Sequence, residues 1–156
     1  MIHKFSILAV GLLLSSAASG ASLTGTVIYV VDGDTLDFAA PGQKTIRVRL
    51  GGVDAPETSQ RFGLDSKNAL RVLCLGKQAS IDTHGNDRYG RTIANVTCNG
   101  IDANREQVRT GSAWVYDRYV IDLSLYADQS AARAAHRGLW SDTNPTAPWI
   151  FRHSGH

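Results

Sequence analysis

Between Thr24 and Leu50 the chain carries three runs of strand-forming residues separated by two tight-turn signals, a pattern that little but a β-meander accommodates. Residues 24–31 are rich in β-branched and aromatic side chains, which suit a pleated, half-buried backbone. Asp32-Gly33-Asp34 follows as turn chemistry, because glycine tolerates positive φ and aspartate favours tight turns. Residues 35–38 resume a strand and Pro41-Gly42 turns the chain again. Residues 44–50 then alternate charged and apolar side chains, as a strand with one wet face does.

The second half mixes periods. Residues 64–75 are expected to form a helix with Leu64, Ala69, Leu70 and Leu73 near one face and Gly76 as its stop. Residues 78–83 and 92–98 read as strands, separated by a polar loop from His84 to Arg91 and followed by the Asn99-Gly100 turn. Asp102 is placed to cap a helix that ends at Gly111, and Asp122 to cap a last helix over 123–137, stopped by Gly138. In that last helix Ala127, Ala131, Ala134 and Ala135 offer a small-residue face for close packing. Residues 141–156 are expected to be an irregular tail, held to the body by Trp140 and Trp149. Five short strands interleaved with about three helices suggest an α+β fold, a small closed OB-type barrel with helices packed on it. Such barrels commonly bind oligonucleotides.

The chain of 156 residues has room for one domain, and neither repeats nor low-complexity tracts divide it. Its start has the three parts of a secretory signal peptide: Lys4 in a short basic opening, an apolar run over 5–14, then small residues to Ala21. The apolar run falls short of the ~20 residues that span a bilayer. Cleavage after Gly20 or Ala21 would leave a mature domain over 22–156, exported to the periplasm or beyond the cell and free of the membrane. Losing Lys4 lowers the formal charge from +2 to +1, so attraction to phosphate must come from a few placed arginines. Cys74 and Cys98 form an even pair that reads as one disulfide in an oxidising compartment, the alternative being two buried thiols. They have no zinc-site spacing.

Two acidic clusters, Asp32-Gly33-Asp34-Thr35 and Asp54-Ala55-Pro56-Glu57, sit where expected strands end, so each can present carboxylates from a rigid support. Hard divalent cations take such irregular oxygen sets. An EF-hand is excluded, since the loop from Asp32 lacks the glycine and glutamate that motif requires. Arg47 and Arg49 share one sheet face by alternation, and Arg91 closes the polar loop. A guanidinium fork matches two phosphate oxygens and stays charged at any working pH.

Taken in order, Val31-Asp32-Gly33-Asp34-Thr35, then Arg49-Leu50-Gly51-Gly52-Val53-Asp54-Ala55-Pro56-Glu57-Thr58, then Asp87-Arg88-Tyr89-Gly90-Arg91 closely resembles the thermonuclease family of staphylococcal nuclease-like domains. Phe62-Gly63, Val108-Arg109-Thr110-Gly111 and Gly138-Leu139-Trp140-Ser141 extend the resemblance over roughly 24–140. The resemblance implies a calcium-dependent nuclease that hydrolyses DNA and RNA at the P–O5′ bond and leaves 3′-phosphates. Asp34 and Asp54 then correspond to the calcium-ligating carboxylates, and Ala55 stands where the family supplies a backbone carbonyl ligand. Glu57 corresponds to the glutamate that positions or deprotonates the attacking water. Arg49 and Arg91 correspond to the pair that grips the scissile phosphate, and Asp32 to an acid just outside the metal ligands. Tyr89, and Arg88 in place of a lysine, correspond to residues near the nucleotide phosphate. Tyr119 aligns with a tyrosine that packs on the nucleotide, in a segment it shares with Trp114 and Tyr116.

Cations at Arg49 and Arg91 would stabilise charge building on the phosphoryl oxygens, usually the largest electrostatic contribution to such a reaction. Arg49→Ala or Arg91→Ala is accordingly expected to leave folding largely intact and collapse turnover. A rival reading is an OB-type module that grips single strands without cutting them. Another is a secreted protein that uses calcium for stability, which gives the arginines no role. The histidines are expected to be surface groups, the chain a monomer without a stable protein partner.

Overall fold

The computed structural model describes residues 22–154, so the expected leader over 1–21 and His156 lie outside the described residues. The meander is present as β1 (Ser22–Val30), β2 (Thr35–Ala39) and β3 (Ile46–Leu50). A two-residue β4 (Val53–Asp54) precedes α1 (Gly63–Cys74), and β5 (Gln78–Asn86), β6 (Thr92–Cys98) and a short β7 (Ile101–Asp102) follow. The chain continues with α2 (Ala103–Arg109), β8 (Trp114–Val115), α3 (Leu125–Ala134), a 3-10 turn at Gly138–Ser141 and α4 (Pro148–His153).

β5 pairs antiparallel with both β1 and β6, and β6 returns parallel to β3, which closes a five-stranded barrel. Its interior is filled by the inward-facing apolar positions, with Val27, Leu36, Phe38, Val48, Leu50, Ile81 and Val96 fully buried. Each such side chain stabilises the fold by about 1.5–3 kcal/mol relative to exposure. The barrel and its packed helices bear out the expected α+β, OB-type architecture.

The helices correct several details. α1 buries Gly63, Ser66, Leu70 and Cys74, while Leu64 is 61% exposed. Gly63 at its start is required by close approach to the loop after β4, where a Cβ would lie 1.9 Å from the Glu57 carbonyl oxygen. In α3 the buried residues are Leu125 and Ala132, so Ala127, Ala131, Ala134 and Ala135 face outward. Gln129 accepts a hydrogen bond from the Val115 amide and helps seat that helix. The expected irregular tail contains a fourth helix, α4, which opens with Pro148, a residue whose fixed φ suits a first helical turn. Cys74 and Cys98 are joined as a disulfide, so α1 is stapled to the end of β6.

Candidate active site

Strand register gathers the chemistry. Thr35 lies opposite Arg49 in the β2–β3 pair, and the Leu50 amide donates to the Asp34 carbonyl at 2.8 Å, so the β1–β2 turn sits beside the end of β3. On the other side of β3, Val48 pairs with Thr92 in parallel, which brings the preceding residue, Arg91, alongside. The next residues after β3 carry Asp54, Ala55 and Glu57 around the same rim. These segments line one cleft of about 550 Å³.

Asp34 is 6% exposed and Asp54 is 1% exposed. One Asp34 oxygen accepts from the Ala55 amide at 2.9 Å and the other from the Thr35 hydroxyl at 2.9 Å. Arg49, 7% exposed, is tied by Nη1 to the carbonyls of Leu50 and Val53, each at 2.9 Å. Its Nη2 stands 3.1 Å from Asp54 Oδ1 and 3.6 Å from Asp34 Oδ2, so both carboxylates meet one nitrogen. Burial opposes the Arg49 charge, but attraction to Asp34 and Asp54 outweighs it and the net shift is upward. Arg47, on the same strand face, is exposed and pairs with Asp37 instead.

Asp32 accepts the Asp34 amide at 3.0 Å. Burial, and then the neighbouring Asp34 charge, push its carboxyl up to about 6. Burial also raises Asp54, against the pull of Arg152. Arg91 donates through Nε to Asp87 at 2.7 Å and through Nη1 to the Thr35 hydroxyl at 3.4 Å. Asp87 accepts from the Tyr89 and Arg91 amides as well, and these bonds hold its carboxyl below the ordinary value despite burial. Arg88 lies over the Tyr89 ring and donates to its hydroxyl at 2.6 Å at the open side of the cleft, where Tyr89 is 69% exposed. Tyr119 also lines the cleft, beside Tyr116 with ring centroids 5.4 Å apart.

The residues that the family resemblance singled out for chemistry therefore line this cleft, whereas Arg47, which alternation put on the same strand face, does not. Four residues outside that set also build it. Trp149, Arg152 and His153 arrive from α4. Trp149 is stacked on Tyr116 at 5.5 Å and set edge-on to Trp114 at 5.6 Å. Arg152 bonds both Asp54 and Glu57. The signal for it was Pro148 opening a helix, with Trp149 and Arg152 three positions apart on one face. The fourth, Gln107, reaches from α2 to the Gly33 carbonyl at 2.6 Å and so braces the turn beneath Asp34. Gly33 itself is required by close approach, because a Cβ there would sit 1.9 Å from the Ser66 hydroxyl oxygen. The exposed His84, His136 and His153 fit the expectation of surface histidines.

Among the described residues, no three His, Cys, Asp or Glu side chains gather tightly enough to enclose an ion by themselves. Asp34 and Asp54, converging on one nitrogen, still present the hard oxygen chemistry that suits a divalent cation completed by carbonyl, water or substrate oxygens. Among the described residues no helix is long and apolar enough to cross a membrane.

Comparison with known proteins places the chain in a family. The profile of the family described as staphylococcal nuclease homologues matches residues 47–142. An Escherichia coli protein described as an uncharacterized endonuclease is 41% identical over 134 residues, covering 85% of this chain and 87% of its own. A Haemophilus influenzae protein with the same description is 42% identical over 137 residues, covering 88% and 77%. A Shigella flexneri protein described as micrococcal nuclease is 34% identical over 151 residues, covering 90% and 86%. With most of the chain matched in this way, the protein belongs to the staphylococcal nuclease family and is a phosphodiester-cleaving hydrolase of the nuclease type.

Proposed function

We propose that this protein is an exported, calcium-dependent endonuclease that hydrolyses DNA and RNA at the P–O5′ bond and leaves 3′-phosphates. The observation that carries the reading is the position of the Arg49 Nη2 nitrogen between Asp34 and Asp54, with Arg91 and Glu57 lining the same cleft. Asp34, Asp54 and the Ala55 carbonyl would hold the calcium ion. When bound, calcium supplies a hard positive charge that polarises a phosphoryl oxygen.

The remaining chemistry belongs to the chain. Arg49 is held by two carbonyls before substrate arrives, so its charge is already oriented and little reorganisation is needed as negative charge builds on phosphorus. Arg91, anchored by Asp87, faces the same phosphate from the β6 side. Glu57 orients the attacking water or takes its proton, a new P–O bond forms, the P–O5′ bond breaks, and the departing 5′ oxygen takes up a proton. Tyr89, Arg88, Tyr116 and Tyr119 give the cleft aromatic and cationic walls that suit unpaired nucleotides without reading base edges. Both DNA and RNA should therefore be substrates, with single-stranded or frayed regions preferred. The leader-like start and the cysteine pair support export, and the protein is taken to act as a monomer.

The test is incubation of the purified mature protein with plasmid, single-stranded DNA and RNA, in calcium or in EGTA. Cleavage of all three in calcium alone is expected. Binding of single strands without cleavage would instead identify a non-catalytic module, and cleavage that survives EGTA would remove calcium from the scheme.

A further inference from the structure

Both oxygens of Asp54 are engaged by arginine. Arg152 places Nη2 2.7 Å from Oδ2 and Nη1 3.2 Å from Oδ1, which Arg49 also approaches at 3.1 Å. The same Arg152 Nη1 lies 2.7 Å from Glu57 Oε1. One guanidinium thus bridges a carboxylate assigned above to calcium and the one assigned to the attacking water. With Arg49 and Arg152 already on Asp54, a divalent ion would be a third cation at one carboxylate and would compete directly with Arg152 for Oδ2, which no other described residue engages.

The bridge is built by the fold. Trp149 is fixed between Trp114 and Tyr116, and Gln60 donates to the Thr146 carbonyl at 2.6 Å, which anchors the segment leading into α4. Arg152 follows one helical turn after Trp149 and is thereby aimed at the cleft. Exposure is unequal across the pair: the Arg152 side chain is 39% exposed and the Asp54 side chain 2%. The arginine can swing into water, and the aspartate cannot follow. All of α4 lies beyond the segment matched to the family, residues 47–142.

We propose that Arg152 is a built-in counter-ion that sets the divalent-metal affinity of the site. It bridges Asp54 and Glu57 in the metal-free protein, offsetting part of their charge, and must be displaced when the cation binds. This rests on the assignment of Asp34 and Asp54 as calcium ligands. Occupancy by Arg152 lowers the fraction of molecules competent to bind metal, and apparent affinity falls by that fraction.

Calcium titration of the metal-free mature protein by calorimetry, with wild type, Arg152→Gln and Arg152→Lys, tests this. Arg152→Gln is expected to bind calcium roughly tenfold more tightly, as befits loss of a partly screened two-carboxylate pair. Its metal-free form should melt lower and gain more from calcium than wild type does. Arg152→Lys, which keeps the charge but not the fork, should fall between them. Trp149→Ala, which loosens α4 without touching the guanidinium, should shift affinity in the same direction as Arg152→Gln. Equal or weaker calcium binding by Arg152→Gln overturns the counter-ion role while leaving the calcium site intact. Absence of calcium binding in every protein, all of them folded, overturns the metal assignment and the counter-ion role with it.

Discussion

Gln107 Nε2 donates to the Gly33 carbonyl at 2.6 Å, so a helix packed on the barrel fixes the turn that carries Asp32 and Asp34. The same amide reaches the Ser66 carbonyl at 3.2 Å, and Gln107 is 1% exposed. Gln107→Ala leaves two buried carbonyls without that donor and opens a cavity, a loss of about 2–3 kcal/mol. Denaturant melts should show it, and calcium titration should show weaker binding, because the Asp34 turn loses its brace.

Arg49 and Arg91 look alike in sequence, and the structure separates them. Arg91 is partly exposed and paired at the rim, so Arg91→Ala should change stability by no more than about 1 kcal/mol. Turnover should fall on the order of 10²–10³-fold. Arg49 holds two buried carbonyls and sits between two buried aspartates. Arg49→Ala strands those groups and should cost about 3 kcal/mol or more, so largely intact folding is the expectation for Arg91→Ala but not for Arg49→Ala. Arg49→Lys, with the charge kept and the fork lost, should spare more stability than turnover. Thermal melts paired with single-turnover cleavage of a single-stranded oligonucleotide measure both.

Much of this site was legible because it is built from local signals. Asp-Gly-Asp turns, the alternation that puts Arg47 and Arg49 on one face, and the Gly90-Arg91 loop end are each readable within a few residues. The contacts that came only with the structure are tertiary. α4 spans six residues, too short for periodicity to mark it, and it is held by Trp149 packing on Trp114 and Tyr116. The face of α1 was read only in part: Leu70 is buried and Leu73 packs on the core as expected, but close approach selects Gly63 and Ser66 for the inside and leaves Leu64 out. Arg47 and Arg49 share a face, yet only the structure shows that Asp37 claims one and the acidic cleft the other.

Asp32 is expected to make the metal-free protein sensitive to pH. Its folded carboxyl, at about 6, lies above the ordinary value of 3.8. A carboxyl raised on folding contributes stability that is present below its unfolded pKa and is lost as pH rises through the folded one. Asp32→Asn keeps an oxygen for the Asp34 amide and removes the ionisation. In EGTA the variant should match wild type in acid and become the more stable of the two as pH climbs through about 6. Melting curves across that interval check it, and a gap that fails to open would contradict the burial of Asp32 beside Asp34.

The Cys74–Cys98 disulfide spans 24 positions and is wholly buried. Closing a loop of that size stabilises by roughly 3 kcal/mol through restriction of the unfolded chain. Replacing both cysteines with alanine should lower the melting temperature by about 10 °C. Activity at room temperature should survive, since Cys98 ends β6 at the far end from Arg91.

The most direct test is anomalous diffraction from a crystal soaked with calcium and a phosphorothioate dinucleotide. The expected result is an ion peak held by Asp34 and Asp54, with Arg152 withdrawn and the bound phosphate group within hydrogen-bond distance of both Arg49 and Arg91. An ion bound elsewhere, or a phosphate that Arg91 does not reach, would contradict the assignment of this cleft as the catalytic centre.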